Sequence, residues 1–267
     1  MPSFKKFQVG PKFKLARLDT NDTAFAKGSE SAQREELDTL AIELDRLQNL
    51  LHAEGRRKVL LVLQGMDTSG KDGTVRWVFS RTSPLGVRVA AFKAPSEEER
   101  AHDFLWRCHA VVPRIGELAV WNRSHYEDVL VPVVEGWIDK AETQRRYAQI
   151  NDFERLLAET GTVIVKCMLH IGKEEQRKRL QARIDAPDKQ WKFSMGDLAV
   201  RDKWDDYQRA YQKALAATST RHAPWTIVPA DSKLNRNLMI AKLLVRKLRD
   251  MDLAPAADPK LTGLVVT

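Results

Sequence analysis

Two cysteines in 267 residues, Cys108 and Cys167, are too few and too far apart for a disulfide framework or a cysteine metal site. Cys108 falls in a segment with helical spacing and Cys167 in an apolar run, so both read as reduced core thiols. No stretch approaches the roughly 18 apolar residues that a membrane span needs, and no membrane partner is expected. The opening residues, MPSFKKFQVGPKFKLARLD, lack the apolar centre of a signal peptide, which gives a cytoplasmic expectation. Internal repeats and low-complexity linkers are missing as well. So are a helix-turn-helix, a zinc-finger spacing and an aromatic stacking motif of the RNA-binding kind, so nucleic acid is not an expected partner.

The chain does carry positive charge. Lys and Arg exceed Asp and Glu to give a net +8, and Lys5, Lys6, Lys12, Lys14 and Arg17 meet no acid in the first eighteen residues. A surface of this sign suits a polyanionic partner without saying which one. Hydrophobic residues make up 43% of the chain, enough for one large α/β domain. Residues 1–30 hold turn formers without sustained periodicity and read as a basic N-terminal arm. From residue 31, helical spacing (Leu37, Leu40, Ala41, Leu44, Leu47, Leu51) gives way at Gly55 to the apolar run 59–63. A short run without alternation suits a strand covered on both faces. The alternation continues: helix from about 72, strand 87–92, helix 96–111 opened by a Ser96/Glu99 capping box, and strand 118–121. Helices near 124–136 and 141–159, strand 162–169 and helix 173–185 follow. A polar stretch to residue 194, one long helix at about 195–218, strand 225–228 and helix 232–251 complete the pattern. The domain thus spans 31–251, and 252–267 reads as a loosely ordered tail. Alternating strands and helices predict a five-stranded parallel sheet with helices on both faces.

Residues 65–72, Gly-Met-Asp-Thr-Ser-Gly-Lys-Asp, fit G-x-x-x-x-G-K between a buried strand and a helix, the context a phosphate-binding P-loop requires. Gly65, Ser69, Gly70, Gly73 and Thr74 form or flank a cradle of backbone N–H groups. The helix start adds its partial positive charge, and Lys71 reaches the transferring phosphate. Asp72 stands where Ser or Thr usually binds magnesium, and Asp67 adds a second acid inside the loop. Carboxylates beside phosphates need a cation between them, so Asp67 and Asp72 are candidate metal ligands; Asp72 also suits a helix N-cap.

Strand 118–121 ends in Asn122-Arg123-Ser124-His125-Tyr126-Glu127-Asp128, where α/β domains bind ligands. Asn122 can hydrogen-bond a hydrated metal, Arg123 can grip phosphate, Glu127 follows on the next turn, and Asp128 is a third candidate metal carboxylate. His125 is assigned no chemistry. Lys93, after the preceding strand, could face an acceptor phosphate. Residues 177–203 carry Arg179, Arg183, Trp191, Lys192, Arg201 and Lys203. They read either as a solvated surface or as a lid whose cations close over phosphates.

With these regions assembled, the chain resembles the P-loop polyphosphate kinases of the second family. The resemblance rests on GMDTSGKDGT (65–74), FKAPSEEERAHDFLWR (92–107), NRSHYEDVLV (122–131), ARIDAPDKQWKFS (182–194) and WDDYQRAYQKAL (204–215). It implies a thymidylate-kinase-like three-layer fold, and phosphoryl exchange between inorganic polyphosphate and AMP, ADP or ATP with Mg²⁺, or Mn²⁺ in its place. It also implies a homo-oligomer, tetramer or dimer. Carried over, Asp67, Lys71 and Asp72 serve metal and phosphates, Arg123 holds nucleotide phosphate, and Arg183 and Lys192 are lid cations. Many members have Asp where Asn122 stands. The form found here resembles the subgroup that accepts both AMP and ADP, with Glu127 helping AMP to sit productively. The rival reading is an ATP-dependent nucleoside monophosphate kinase of thymidylate-kinase type.

Overall fold

The structure is a computed structural model that describes residues 3–255; part of the C-terminal tail, 256–267, lies outside them. A helix α1 (Glu30–Glu54) leads through Gly55, in the left-handed conformation that ends many helices, into β1 (Lys58–Gln64). There follow α2 (Lys71–Val78), β2 (Val87–Ala91), α3 (Glu97–Ala101), α4 (Trp106–His109) and β3 (Leu118–Asn122). Next come α5 (Glu127–Val134), α6 (Lys140–Glu159), β4 (Thr162–His170), α7 (Lys173–Asp185) and a 3-10 turn Pro187–Lys192. The last elements are α8 (Met195–Asp202), α9 (Trp204–Thr218), β5 (Trp225–Pro229) and α10 (Lys233–Arg249).

All five strands are parallel, in the order β2-β3-β1-β4-β5. The central β1 is buried from Val59 to Gln64, as its unbroken apolar run predicts, whereas the edge strand β2 is half exposed. The chain leaves β1 for one side of the sheet and later crosses to the other. That reversal opens a crevice at the carboxyl ends of β1 and β3, where loop 65–70 and residues 122–126 emerge.

Three expectations differ from what is found. The helix expected over 96–111 is two short helices, although its Ser96/Glu99 capping box is present. His102 is extended (φ −106°, ψ 176°), and the Asp103 carboxylate accepts the Leu105 N–H at 2.9 Å, so a side-chain turn replaces the helical bonds. The long helix over 195–218 breaks at Lys203: α9 buries Trp204, Tyr207, Ala210 and Tyr211, while α8 buries no side chain. The N-terminal segment is no free arm. Phe4, Phe7, Val9, Leu15 and Phe25 are buried in the core. Gln8 bridges to Thr226 of β5, and Asn235 of α10 holds the segment through the Phe25 N–H and the Asp22 carbonyl.

Both thiols are buried, and burial pushes the Cys167 pKa up to about 12 and raises that of Cys108. His125 lies in a buried polar cluster. Lys166 Nζ, fully enclosed in β4, donates to Glu154 (2.6 Å), Tyr126 Oη (2.9 Å) and the Thr218 carbonyl (2.8 Å). Every hydrogen of that ammonium is matched, which is what makes a buried charge tolerable.

Candidate active site

Leaving β1, the backbone turns at Gly65 with φ +150°, and a Cβ there would lie 2.6 Å from the Leu169 carbonyl, so only glycine fits. Thr68 and Arg123 both adopt φ +62°, a costly conformation for non-glycine residues that is characteristic of functional sites. Gly70, also left-handed, forms the N-cap of α2 without any side-chain cap, which leaves the helix start open to a ligand. Asp72 is therefore not the N-cap; it sits in the first turn and accepts the Asn122 amide at 2.6 Å.

Lys71 is 7% exposed and folds onto its own loop, donating to the carbonyls of Gly65 (2.7 Å) and Met66 (3.2 Å). Burial, reinforced by the nearby Arg123, pulls its pKa down to about 8. Arg123 donates to the Asp67 carboxylate at 2.7 Å. Asp67, Lys71, Asp72, Asn122 and Arg123 thus meet at the mouth of the crevice, as the sequence motifs require. Lys93, Arg183 and Lys192 line the same cavity of about 1130 Å³, and Trp191 and Lys189 reach it from the 3-10 turn. Eleven lysines and arginines against four aspartates line it, so the cavity is strongly positive.

Two predicted residues stand elsewhere. Asp128 pairs with Arg107 (3.0 Å) and lines a separate cavity with Glu142 and Arg146, away from Asp67 and Asp72. Its proposed metal duty is thereby corrected: it does not share the cavity that holds Asp67 and Asp72. Glu127 accepts the Gln64 amide at 3.2 Å and does not line the cavity, although its charge acts on Lys71 and Arg123.

Three residues were missed or undervalued. Asp197, in the first turn of α8, lines the cavity 3.6 Å from Arg183, and burial followed by repulsion from Asp67 raises its pKa. Nothing in the sequence separates it from an ordinary first-turn acid. Arg179 turns away from solvent to brace the loop, donating to the carbonyls of Thr68 (3.0 Å), Ala230 (2.9 Å) and Asp231 (2.7 Å). Arg236 of α10, 2% exposed, donates to the Ser69 carbonyl from beneath.

The donor set fits phosphate and a hydrated metal ion. The side-chain oxygens of Thr68, Ser69 and Thr74 are buried without a hydrogen-bond partner, as expected of groups facing a missing anion or hydrated cation. Among the described residues no three His, Cys, Asp or Glu side chains form a metal cage by themselves. This suits magnesium, which takes one or two carboxylates and completes its shell with water and substrate phosphates.

The parallel sheet, the glycine turn between β1 and α2 and the cation-lined crevice define a P-loop kinase. The chain belongs to the polyphosphate kinase 2 family, whose description matches residues 27–255. It is 51% identical over 249 residues to the AMP/ADP-polyphosphate phosphotransferase of Meiothermus ruber, covering 92% of this chain and 93% of that one. To the ADP-polyphosphate phosphotransferase of Rhodopseudomonas palustris it is 41% identical, covering 96% and 93%. The crystal structure of polyphosphate kinase 2 from Arthrobacter aurescens superposes with a TM-score of 0.92 at 46% identity, over 96% of this chain and 92% of that one.

Proposed function

We propose that the chain transfers the terminal phosphoryl group of inorganic polyphosphate to AMP and ADP, reversibly, with Mg²⁺. The observation that carries this reading is the loop opening into a cavity with eleven cations and room beyond a single nucleotide, since ordinary ligand pockets run to about 300–1,000 Å³. The names of the two relatives supply the donor and acceptor class.

The attacking group is a phosphate oxygen of the acceptor, already anionic, so no strong base is needed. Lys71 moves from the loop carbonyls onto the transferring group. Arg123, Arg183 and Lys192 hold the flanking phosphates in line, and the segment 177–203 closes as a lid that excludes water. Asp67 and Asp72, with Asp197 opposite, would hold the metal, which when bound neutralises charge on the phosphates. Asn122 fixes Asp72 while adding no charge of its own. Glu127 supports this shell. The substrate set implies a cytoplasmic location, and self-association as a dimer or tetramer belongs to the same proposal. Sedimentation of the purified chain tests the last point, and a monomer at micromolar concentration would remove it. The phosphotransfer is tested by supplying polyphosphate, Mg²⁺ and AMP or ADP and following product nucleotides by chromatography.

A further inference from the structure

Arg236 sits directly behind the phosphate loop, and its environment is unusual for an arginine. The side chain is 2% exposed. Nη1 donates to the Ser69 carbonyl at 3.2 Å, and Nε and Nη2 share the Asn237 side-chain oxygen at 3.2 and 3.0 Å. A guanidinium has five N–H groups, so two have no partner here. Among the described residues no carboxylate forms an ion pair with it. Its charged neighbour is another cation, Arg179; burial, with Arg179 adding to it, brings the Arg236 pKa down to about 9, still charged at neutral pH.

The loop is shaped around this side chain. A Cβ on Gly70 would stand 1.9 Å from Nη1 and 2.5 Å from Cζ of Arg236, and one on Gly73 would stand 3.1 Å from Nη2. The glycines that let backbone amides face a phosphate on one side therefore also admit a guanidinium on the other. A buried charge without a counter-ion destabilises a fold. Lys166, equally buried, shows how this chain treats a structural cation: it receives Glu154 at 2.6 Å. Arg236 receives no such partner and borders the cavity.

We propose that Arg236 is a positioning cation whose missing counter-ion is the condensed phosphate chain held by loop 65–72. Its charge acts through the Ser69 peptide and its spare N–H groups, so anion binding and loop stability are coupled. The inference rests on the phosphotransfer reading above and adds a residue that neither the motif nor the relatives' names point to.

The test compares Arg236→Met, similar in length and uncharged, with Arg236→Lys. Thermal unfolding is followed without ligand, with tripolyphosphate and with ADP, alongside KM and kcat for polyphosphate. For Arg236→Met the ligand-free midpoint should equal or exceed that of the wild type. The stabilisation by tripolyphosphate should fall by half or more, and KM for polyphosphate should rise about tenfold with a smaller change in kcat. Arg236→Lys should restore part of the tripolyphosphate-induced shift. Loss of the ADP shift alone, with the tripolyphosphate shift intact, would overturn the proposal in favour of the nucleotide phosphates. An Arg236→Met protein that fails to fold, or has a lower ligand-free midpoint with both anion shifts intact, would overturn the proposal in favour of plain packing. A wild-type protein that neither anion stabilises contradicts the phosphotransfer reading itself, whatever the variants do.

Discussion

Replacing Lys71 by methionine separates the chemistry of the loop from its folding, because burial and hydrogen bonds largely cancel in the fold while nothing replaces the charge in catalysis. In the ligand-free protein the ammonium loses water, and the fall of its pKa from 10.5 to about 8 corresponds to roughly 3 kcal/mol of penalty. Its bonds to the Gly65 and Met66 carbonyls return about 1.5–3 kcal/mol each. Methionine fills a similar volume and removes penalty and bonds together, so the unfolding free energy should change by no more than about 3 kcal/mol. Turnover should suffer far more. A preorganised cation aimed at transition-state charge in a water-poor site contributes about 3–4 kcal/mol, or 10²–10³ in rate. ATP formed from ADP and polyphosphate, measured beside thermal unfolding of the same preparation, reads both quantities. A folded Lys71→Met protein with activity within tenfold of wild type would refute the role given to this side chain.

Other predictions follow from particular groups. Above pH 8 the free enzyme loses the Lys71 proton and must regain it to bind a polyanion, so kcat/KM for polyphosphate should fall by up to about tenfold per pH unit; a flat profile from pH 8 to 9.5 would count against this. Asp197→Asn should raise the Mg²⁺ concentration for half-maximal rate at least severalfold, whereas Asp128→Asn should leave it unchanged while weakening the fold; a reversed pattern returns the metal duty to Asp128. Glu154→Ala strands the Lys166 charge and should cost about 3–5 kcal/mol in denaturant unfolding, and a cost below about 1 kcal/mol would show that Lys166 is neutral. Burial holds the His170 pKa down to about 4. The unfolded chain therefore takes up that proton first, and stability should decline by about 3 kcal/mol as pH falls from 6.5 to 4, with Tm against pH as the measure.

What could be read from the sequence depended on how local the cause was. Strand β1 and loop 65–72 were legible because an unbroken apolar run, two glycines and a lysine owe their structure to neighbours in the chain. Lys93, Asn122 and Arg123 line the cavity because they stand at or just past the ends of parallel strands, whose position relative to the crevice follows from topology. The breaks at His102 and Lys203 were not legible. Helical periodicity runs through both, and only the Asp103 side-chain turn and the packing of Trp204 and Tyr207 decide against it. The N-terminal segment misled for a related reason: its phenylalanines have no period, and they are buried by β5 and α10, which lie more than 200 residues away. Arg236 stood among lysines and arginines on a helix that reads as a basic amphipathic surface. Its burial appears only once the loop folds over it. Asp128 looked like a metal ligand because it closes the same motif, and only the fold turns it into a separate cavity beside Arg107.

The central claim is that polyphosphate, with no nucleoside triphosphate present, is the phosphoryl donor. Incubating the protein with Mg²⁺, AMP and long-chain polyphosphate should produce ADP and then ATP, while the Lys71→Met protein makes neither at a comparable rate. Absence of any product, beside brisk transfer from ATP to dTMP, would contradict the account and identify a nucleoside monophosphate kinase instead.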